Sequence, residues 1–366
     1  MAPIVTPYIP FRITVHLDKP DVYAENVTVS FSDYVKNVAS SEVYPTWGES
    51  ALRANILAIT SFALNRVYTE FYRSRGYAFD ITASTAYDQK FIYGRTIFTP
   101  ISRLVDELYD DYLRRPGFLE PLAAQFCDGH TVTCDGLSQW GSEELSQQGY
   151  SANQILRFYY GDVEIVRNAR QQNIESSYPG TPLRQGDRGQ DVRTLQISLN
   201  RIRRSLPAIP VLDEDGIFGP KTKAAVQNFQ RAFNLTQDGI VGRATWNYIV
   251  RVYVAVLRLS ELDSLGQRIF VGRTLGDGET LQQGDRGDKV LQLQYMLSYL
   301  SSFLPEVPSL RPDAIFGPAT QASVEGFQRF ASLPVTGIVT ERDWDAMYEE
   351  YAGASRTVAL LGEARS

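Results

Sequence analysis

One part of this chain is written twice. Gly186-Asp-Arg-Gly189 returns as Gly284-Asp-Arg-Gly287, Ile217-Phe-Gly-Pro220 as Ile315-Phe-Gly-Pro318, and Phe229-Gln230 as Phe327-Gln328. Gly239-Ile-Val241 likewise returns as Gly337-Ile-Val339, and Trp246 as Trp344. The shift is 98 throughout (186 to 284, 246 to 344). A constant shift without internal gaps means two copies of one unit of about 65 residues, each closing its own small core.

The apolar spacing says what that unit is. Val192, Leu195, Gln196 and Leu199 share one face of a first helix. A loop through Asp213-Glu-Asp-Gly216-Ile-Phe218-Gly219-Pro220 follows. Thr222, Ala225, Val226, Phe229 and Phe233 line a second helix, and Thr245-Trp246 opens a third after the turn at Asp238-Gly239. Phe218 and Trp246 are expected to plug the core. The wording Gly-x-x-Gly-x-x-Val-x-x-Leu-Gln and Asp-Gly-x-Phe-Gly-Pro-x-Thr closely resembles the peptidoglycan-binding domain 1 family. The second copy departs at Ala314 for Gly216 and at Thr336 for Asp238. Sugar ligands favour shallow polar clefts, so Asp215, Thr222 and Gln230, with Asp313, Thr320 and Gln328 in the second copy, are candidate contacts. For Gln230 and Gln328 the alternative is that they satisfy backbone groups inside the bundle. Two linked weak modules would gain through effective concentration.

The N-terminal part reads differently. Phe11-Arg-Ile-Thr-Val-His16-Leu17 and Val27-Thr-Val-Ser-Phe31 alternate as strands, with His16 at an exposed position. Tyr34, Val35, Val38 and Ala39 then recur at helical spacing as far as Glu42, where Pro45 stops the helix. From about Glu49 to Tyr72 a second helix carries Ile56, Leu57, Ala58, Ile59, Phe62, Ala63 and Leu64 with almost no polar face, as a buried helix does. A strand pair is expected over Phe79 to Phe91, and a third helix over Ile101 to Arg114. Glu42 in a turn among Val43, Tyr44 and Trp47 would lose water, and desolvation raises a carboxylic acid's pKa, which suits a proton donor at neutral pH. The bland alternative is a solvated turn residue.

Tyr34-Val-Lys-Asn-Val-Ala-Ser-Ser-Glu42-Val43, Leu52-Arg-Ala-Asn55-Ile-Leu-Ala-Ile-Thr60-Ser-Phe-Ala-Leu64 and Cys134-Asp-Gly136-Leu-Ser138-Gln139-Trp140-Gly141 resemble the stage II sporulation protein D family, over roughly residues 10–166. That family includes enhancers of wall amidases and lytic transglycosylases of peptidoglycan. The resemblance implies that Glu42 is the catalytic acid and base, with Asn55, Gln89, Ser138 and Gln139 orienting the sugar. The chain departs from the family pattern where Asn55 and Thr60 stand for glutamine and arginine, and where Thr133 stands for a histidine.

Both cysteines flank one of the two histidines in Cys127-Asp-Gly-His130-Thr-Val-Thr-Cys134. Three readings stay open: a zinc site on Cys127, His130 and Cys134, lacking a fourth ligand; a Cys127–Cys134 disulfide; or two free thiols. Some members of the resembled family hold zinc near this block. No cofactor is required by the expected chemistry.

The expected fold class is an α+β N-terminal domain followed by two small all-α, three-helix repeat domains. The boundaries are residues 1–167, a polar linker 168–183, a first repeat 184–250, a connecting helix and loop 251–281, a second repeat 282–351 and a tail 352–366. The apolar run Trp246 to Leu262 is expected to pack the two repeats together. Net charge is −6, which gives nucleic acid no electrostatic footprint, and no apolar run approaches the ~20 residues of a membrane span. The N-terminus lacks the pattern of a secretory signal, so the route to a cell-wall or spore location is open. The expected partners are peptidoglycan glycan strands and, in the family's other role, a wall amidase. Two functions follow: a lytic transglycosylase working through Glu42, or a non-catalytic peptidoglycan-binding, amidase-activating or structural protein of the wall or spore.

Overall fold

The structure, a computed structural model, describes residues 7–267, 275, 279–301, 303–310 and 314–351. They form two compact units divided after Gln267. The tail 352–366 lies outside the described residues.

The first unit opens with β1 (Ile9–Pro10), β2 (Arg12–His16) and β3 (Asn26–Ser30). β2 and β3 pair antiparallel, and β4 (Ile81–Thr82) joins β2 in parallel. α1 (Phe31–Glu42) starts where the Ser30 hydroxyl accepts the Asp33 N–H, a side-chain cap that fixes its first turn. α2 (Glu49–Tyr68) has Ala51, Leu52 and Ala54 to Tyr68 all buried, as its sequence demands. Around it pack α1, α3 (Thr99–Leu108), β5 (Tyr112–Arg114), α4 (Gln139–Gln147) and α5 (Ala152–Tyr160). β6 (Phe126–Cys127) pairs with β7 (Leu137–Ser138), and β5 with β8 (Glu164–Val166).

Three local expectations change. The third helix stops at Leu108 because Tyr112 and Leu113 are drawn into pairing with β8, where both are buried. In place of a strand pair over Phe79 to Phe91, only Ile81–Thr82 joins a sheet and residues 85–98 run as irregular chain. His16 is buried: it stacks on Phe79 and lies within hydrogen-bond distance of Asn26 and the Val22 carbonyl.

The first repeat comprises α6 (Gln190–Ile202), α7 (Pro220–Ala232) and α8 (Arg243–Val256) around buried Leu195, Leu199, Phe218, Phe229 and Trp246. It belongs to the same compact unit as the α+β domain. Residues 168–183, expected as a linker, lie against both parts. β9 (Gln171–Gln172) pairs with β1, the Ser177 N–H donates to Glu70 at 2.6 Å, and Trp246 Nε1 donates to Ser177 Oγ at 2.8 Å. Past α8 the chain returns to the α+β domain. Asn65 Nδ2 donates to the Leu259 carbonyl at 2.7 Å, Tyr68 donates to Gln267 at 2.9 Å, and Arg115 to the Leu262 carbonyl at 3.1 Å. Buried Glu120 accepts from Ser264 and the Gln267 N–H, and its burial pushes the carboxyl above the usual range. The apolar face of α8 is therefore used inside the first repeat and against the short 3₁₀ turn Arg73–Arg75.

The second unit repeats the bundle with α9 (Asp288–Leu300), α10 (Pro318–Phe330) and a helix over 341–351. Its core gathers Leu293, Leu297, Phe316, Phe327 and Trp344. An α+β domain followed by two all-α repeats is thus the observed class. Among the described residues no helix is long and apolar enough to cross a membrane.

Candidate functional site

Glu42 ends α1, and two segments distant in sequence meet at its carboxylate. Oε1 accepts the Lys90 N–H at 2.9 Å, and Oε2 accepts Nε2 of Gln139 at 3.2 Å. The residue is half-buried, so the expected dry setting is only partly realised.

Each donor is held from behind. Gln139, the first residue of α4, is 4% exposed. Its carbonyl accepts the Ser142 hydroxyl at 2.6 Å, and Ser142 Oγ in turn accepts Asn55 Nδ2 at 2.8 Å. Asn55 therefore lies beneath the site and fixes the turn that carries Gln139; its Oδ1 is buried without a hydrogen-bond partner. Gln89 is likewise beneath, accepting from the Tyr34 hydroxyl at 2.9 Å and donating to the Ile59 carbonyl at 3.1 Å. This anchors the chain so that the next N–H, that of Lys90, faces Glu42. Ser138 caps α4 by accepting the Gly141 N–H at 3.0 Å. Of the residues expected around the sugar, Gln139 touches Glu42, whereas Asn55, Gln89 and Ser138 support it.

Sequence reasoning missed Asn37, which clamps the irregular 85–98 segment against α1. Its Nδ2 donates to the Ile92 carbonyl at 2.8 Å and its Oδ1 accepts the Ile92 N–H at 2.9 Å. Ser41 continues the strap by accepting Arg95 Nη1 at 2.8 Å.

The zinc reading of Cys127, His130 and Cys134 does not hold. The two cysteines form a disulfide, so neither sulfur is a thiolate able to ligate a metal. Among the described residues no group of three His, Cys, Asp or Glu could hold a metal ion. His130 instead stacks on Trp140, with ring centroids 5.0 Å apart and planes 7° from parallel. Asp128 shapes the loop by accepting the N–H groups of His130, Thr131 and Val132. These bonds, Val132 foremost, hold its carboxyl at about 2. The loop sits close on Ser138, since a Cβ on Gly129 would fall 1.9 Å from Ser138 Oγ. Trp140 also meets Trp47 at 5.1 Å and Tyr44 at 5.7 Å, and Tyr44 is 57% exposed.

In the repeats, the expected sugar contacts are mostly turn struts. Gln230 is 1% exposed; Nε2 donates to Asp238 and the Ile240 carbonyl, and Oε1 accepts the Gly239 N–H. Gln328 repeats this on the Ile338 carbonyl and the Gly337 N–H. Both fit the structural alternative. Gln196, read from sequence as part of the first helix's inner face and not as a strut, does the same for the preceding turn. It donates to Asp215, Thr222 Oγ1 and the Ile217 carbonyl, and accepts the Gly216 N–H. Gln294 Nε2 donates to Thr320 Oγ1 at 2.9 Å. Thr222 and Thr320 are buried, while Asp215 is exposed, its carboxyl held below the usual range by the Ile217 N–H and by Gln196. Asp313 lies outside the described residues.

Residues 188–249 and 286–347 both match the peptidoglycan binding domain family. The zinc D-Ala-D-Ala carboxypeptidase of Streptomyces albus G is 43% identical over 76 residues, 21% of this chain and 28% of that protein. An uncharacterized protein in the bpoA1 3' region of Kitasatospora aureofaciens is 49% identical over 65 residues, 18% of this chain and 51% of that one. The N-acetylmuramoyl-L-alanine amidase CwlL of Bacillus licheniformis is 24% identical over 265 residues, 63% of this chain and 72% of that one. The chain thus spans about a quarter and about half of the first two relatives. It carries two peptidoglycan-binding domains.

Proposed function

We propose that this chain is a peptidoglycan-binding protein of the cell wall, whose repeats supply affinity for murein and whose α+β domain works on or beside the bound strand. The observation that carries this reading is the paired domain match over the duplicated segment. The experiment is co-sedimentation with insoluble peptidoglycan. Retention in the pellet is expected, and recovery of the chain in the supernatant would overturn it. An amidase partner, a spore location and the domain boundaries given above belong to the same proposal.

A second reading, lytic transglycosylase, is favoured by the Glu42 contacts and by the resemblance of residues 10–166 to stage II sporulation protein D. One carboxyl group suffices, because the muramic C6 hydroxyl is the nucleophile, outside the two-carboxylate scheme of most glycosidases. Glu42 would give its proton to the glycosidic oxygen as the C1–O bond breaks. The C6 oxygen would then bond to C1, and its proton would return to Glu42. Digestion of purified sacculi tests this: anhydromuramic products from the parent and none from Glu42→Gln are expected, and equal yields from both would remove it.

A further inference from the structure

We infer that Tyr44, Trp47 and Trp140 form a stacking seat for one N-acetylhexosamine ring of a glycan strand beside Glu42. This rests on a wall-glycan ligand but not on turnover. Tyr44 lies two residues beyond Glu42, and Trp140 directly follows Gln139, whose amide reaches the Glu42 carboxylate. The three rings touch pairwise, at 5.7, 5.7 and 5.1 Å between centroids. An aromatic cluster serving only a core is covered, yet Tyr44 is 57% exposed and Trp47 and Trp140 are half-buried.

The cluster is braced on its far side. His130 lies flat on Trp140, and the loop that carries it is closed by the Cys127–Cys134 disulfide and by three N–H bonds to Asp128. Rings held this way lose little freedom when a ligand arrives, which is what preorganised sites achieve. A pyranose offers an apolar C–H face and a rim of hydroxyl and acetamido groups. The seat offers the matching pair of an exposed ring, Tyr44, and polar groups on residues next to the ring-bearing ones in the chain, the Glu42 carboxylate and the Gln139 amide. Tyr44 is the ring the sugar meets; Trp140, braced by His130, holds it in place.

The test uses the full chain, titrated with β-1,4-linked N-acetylglucosamine oligomers and followed by tryptophan fluorescence. Two of the four tryptophans, Trp47 and Trp140, are in the seat, while Trp246 and Trp344 are 3% and 0% exposed in the repeat cores. A saturable change is expected. Tyr44→Ala weakens it roughly tenfold, the scale of one lost aromatic contact, whereas Tyr44→Phe keeps it. Replacing both Trp47 and Trp140 by Phe abolishes the signal. No saturable change, a Tyr44→Ala titration like the parent's, or a signal surviving the double replacement overturns the seat. Retained co-sedimentation with peptidoglycan in that case leaves the wall-binding reading intact.

Discussion

The two repeats share a backbone plan and solve one local problem in opposite ways. In the first, the amide of Gln230 is received by Asp238, the leading residue of the turn, and position 245 is threonine. In the second, the turn residue is Thr336 and the acid stands at Asp343, which receives the Gln328 amide at 2.9 Å. Acid and threonine have changed places across the same glutamine. Asp343 also caps its helix by accepting the Thr340 N–H, whereas the second acceptance of Asp238 stays inside the turn, from the Ile240 N–H. What the glutamine requires is a carboxylate within reach, and two positions in the fold can supply it. A second contrast lies on the middle helix. Asn228 reaches the Ala208 carbonyl at 2.8 Å, while its counterpart Gly326 lets the chain at Glu306 come so close that a Cβ would sit 2.2 Å from that carbonyl.

The sharpest way to break the equivalence is to exchange that pair. Gly326→Asn should cost at least about 3 kcal/mol and unfold the second repeat, since the obstacle is backbone rather than a yielding side chain. Asn228→Gly in the first repeat should cost about 2 kcal/mol, through one lost hydrogen bond and a helical glycine. Urea unfolding, with hydrogen exchange to locate the loss, separates the two.

The acid swap comes next. Asp343→Thr should cost about 2 kcal/mol by leaving the buried Gln328 amide without its carboxylate and Thr340 without its cap. Adding Thr336→Asp should restore about half of that, because only the strut is recovered. Exchange protection of the Gly337 amide, bonded to Gln328 at 3.0 Å, reports it locally. A coupling near zero in the double-mutant cycle would mean that the glutamine does not read the two positions as alternatives.

A smaller effect belongs to the first turn. Ala314 holds φ +62° where the first repeat has Gly216 at φ +71°. An alanine there is strained, so Ala314→Gly should stabilise the second repeat by about 0.5–1 kcal/mol in urea unfolding. Gly216→Ala should destabilise the first, where a Cβ would lie 2.9 Å from the Gly189 carbonyl.

The smallest is a pH effect. Asp215 is depressed in the folded chain, so its contribution is present above the ordinary aspartate value and lost as pH falls through the lower folded value. Asp215→Asn should flatten the acid limb of first-repeat stability below about pH 4, measured by urea unfolding across pH. At neutral pH, where the carboxylate's contribution is present in full, the same replacement should lower first-repeat stability slightly.

The repeats were legible because their determinants are local and written twice. Phe218, Trp246 and the turn glycines follow from spacing alone, and even the strut role of Gln230 could be weighed against a binding role. The Glu42 site was legible only in part. Its partners Lys90 and Gln139 lie 48 and 97 residues away in sequence, and only a resemblance could point to Gln139. Nothing in the wording of Asn37 announces that it will clamp residue 92. The cysteines permitted three chemistries because spacing fixes proximity but not which bond forms. The apolar run from Trp246 was rightly a buried helix at its start, but apolarity states that a face is covered and not by what. Its cover here includes the 3₁₀ turn of the α+β domain, a contact between segments with no common pattern.

The segments on either side of the first repeat are bolted to the α+β domain, residues 259–267 by Asn65, Tyr68, Arg115 and Glu120, and Ser177, which Trp246 also reaches, by Glu70. A murein strand gripped by that repeat would be a workpiece clamped to the bed of the machine, not a fish on a line. The arithmetic of floppy tethers then has no place within this unit. What would then matter is the fixed gauge between the first repeat and the Glu42 site, and a strand too short to bridge it would reach one or the other, never both.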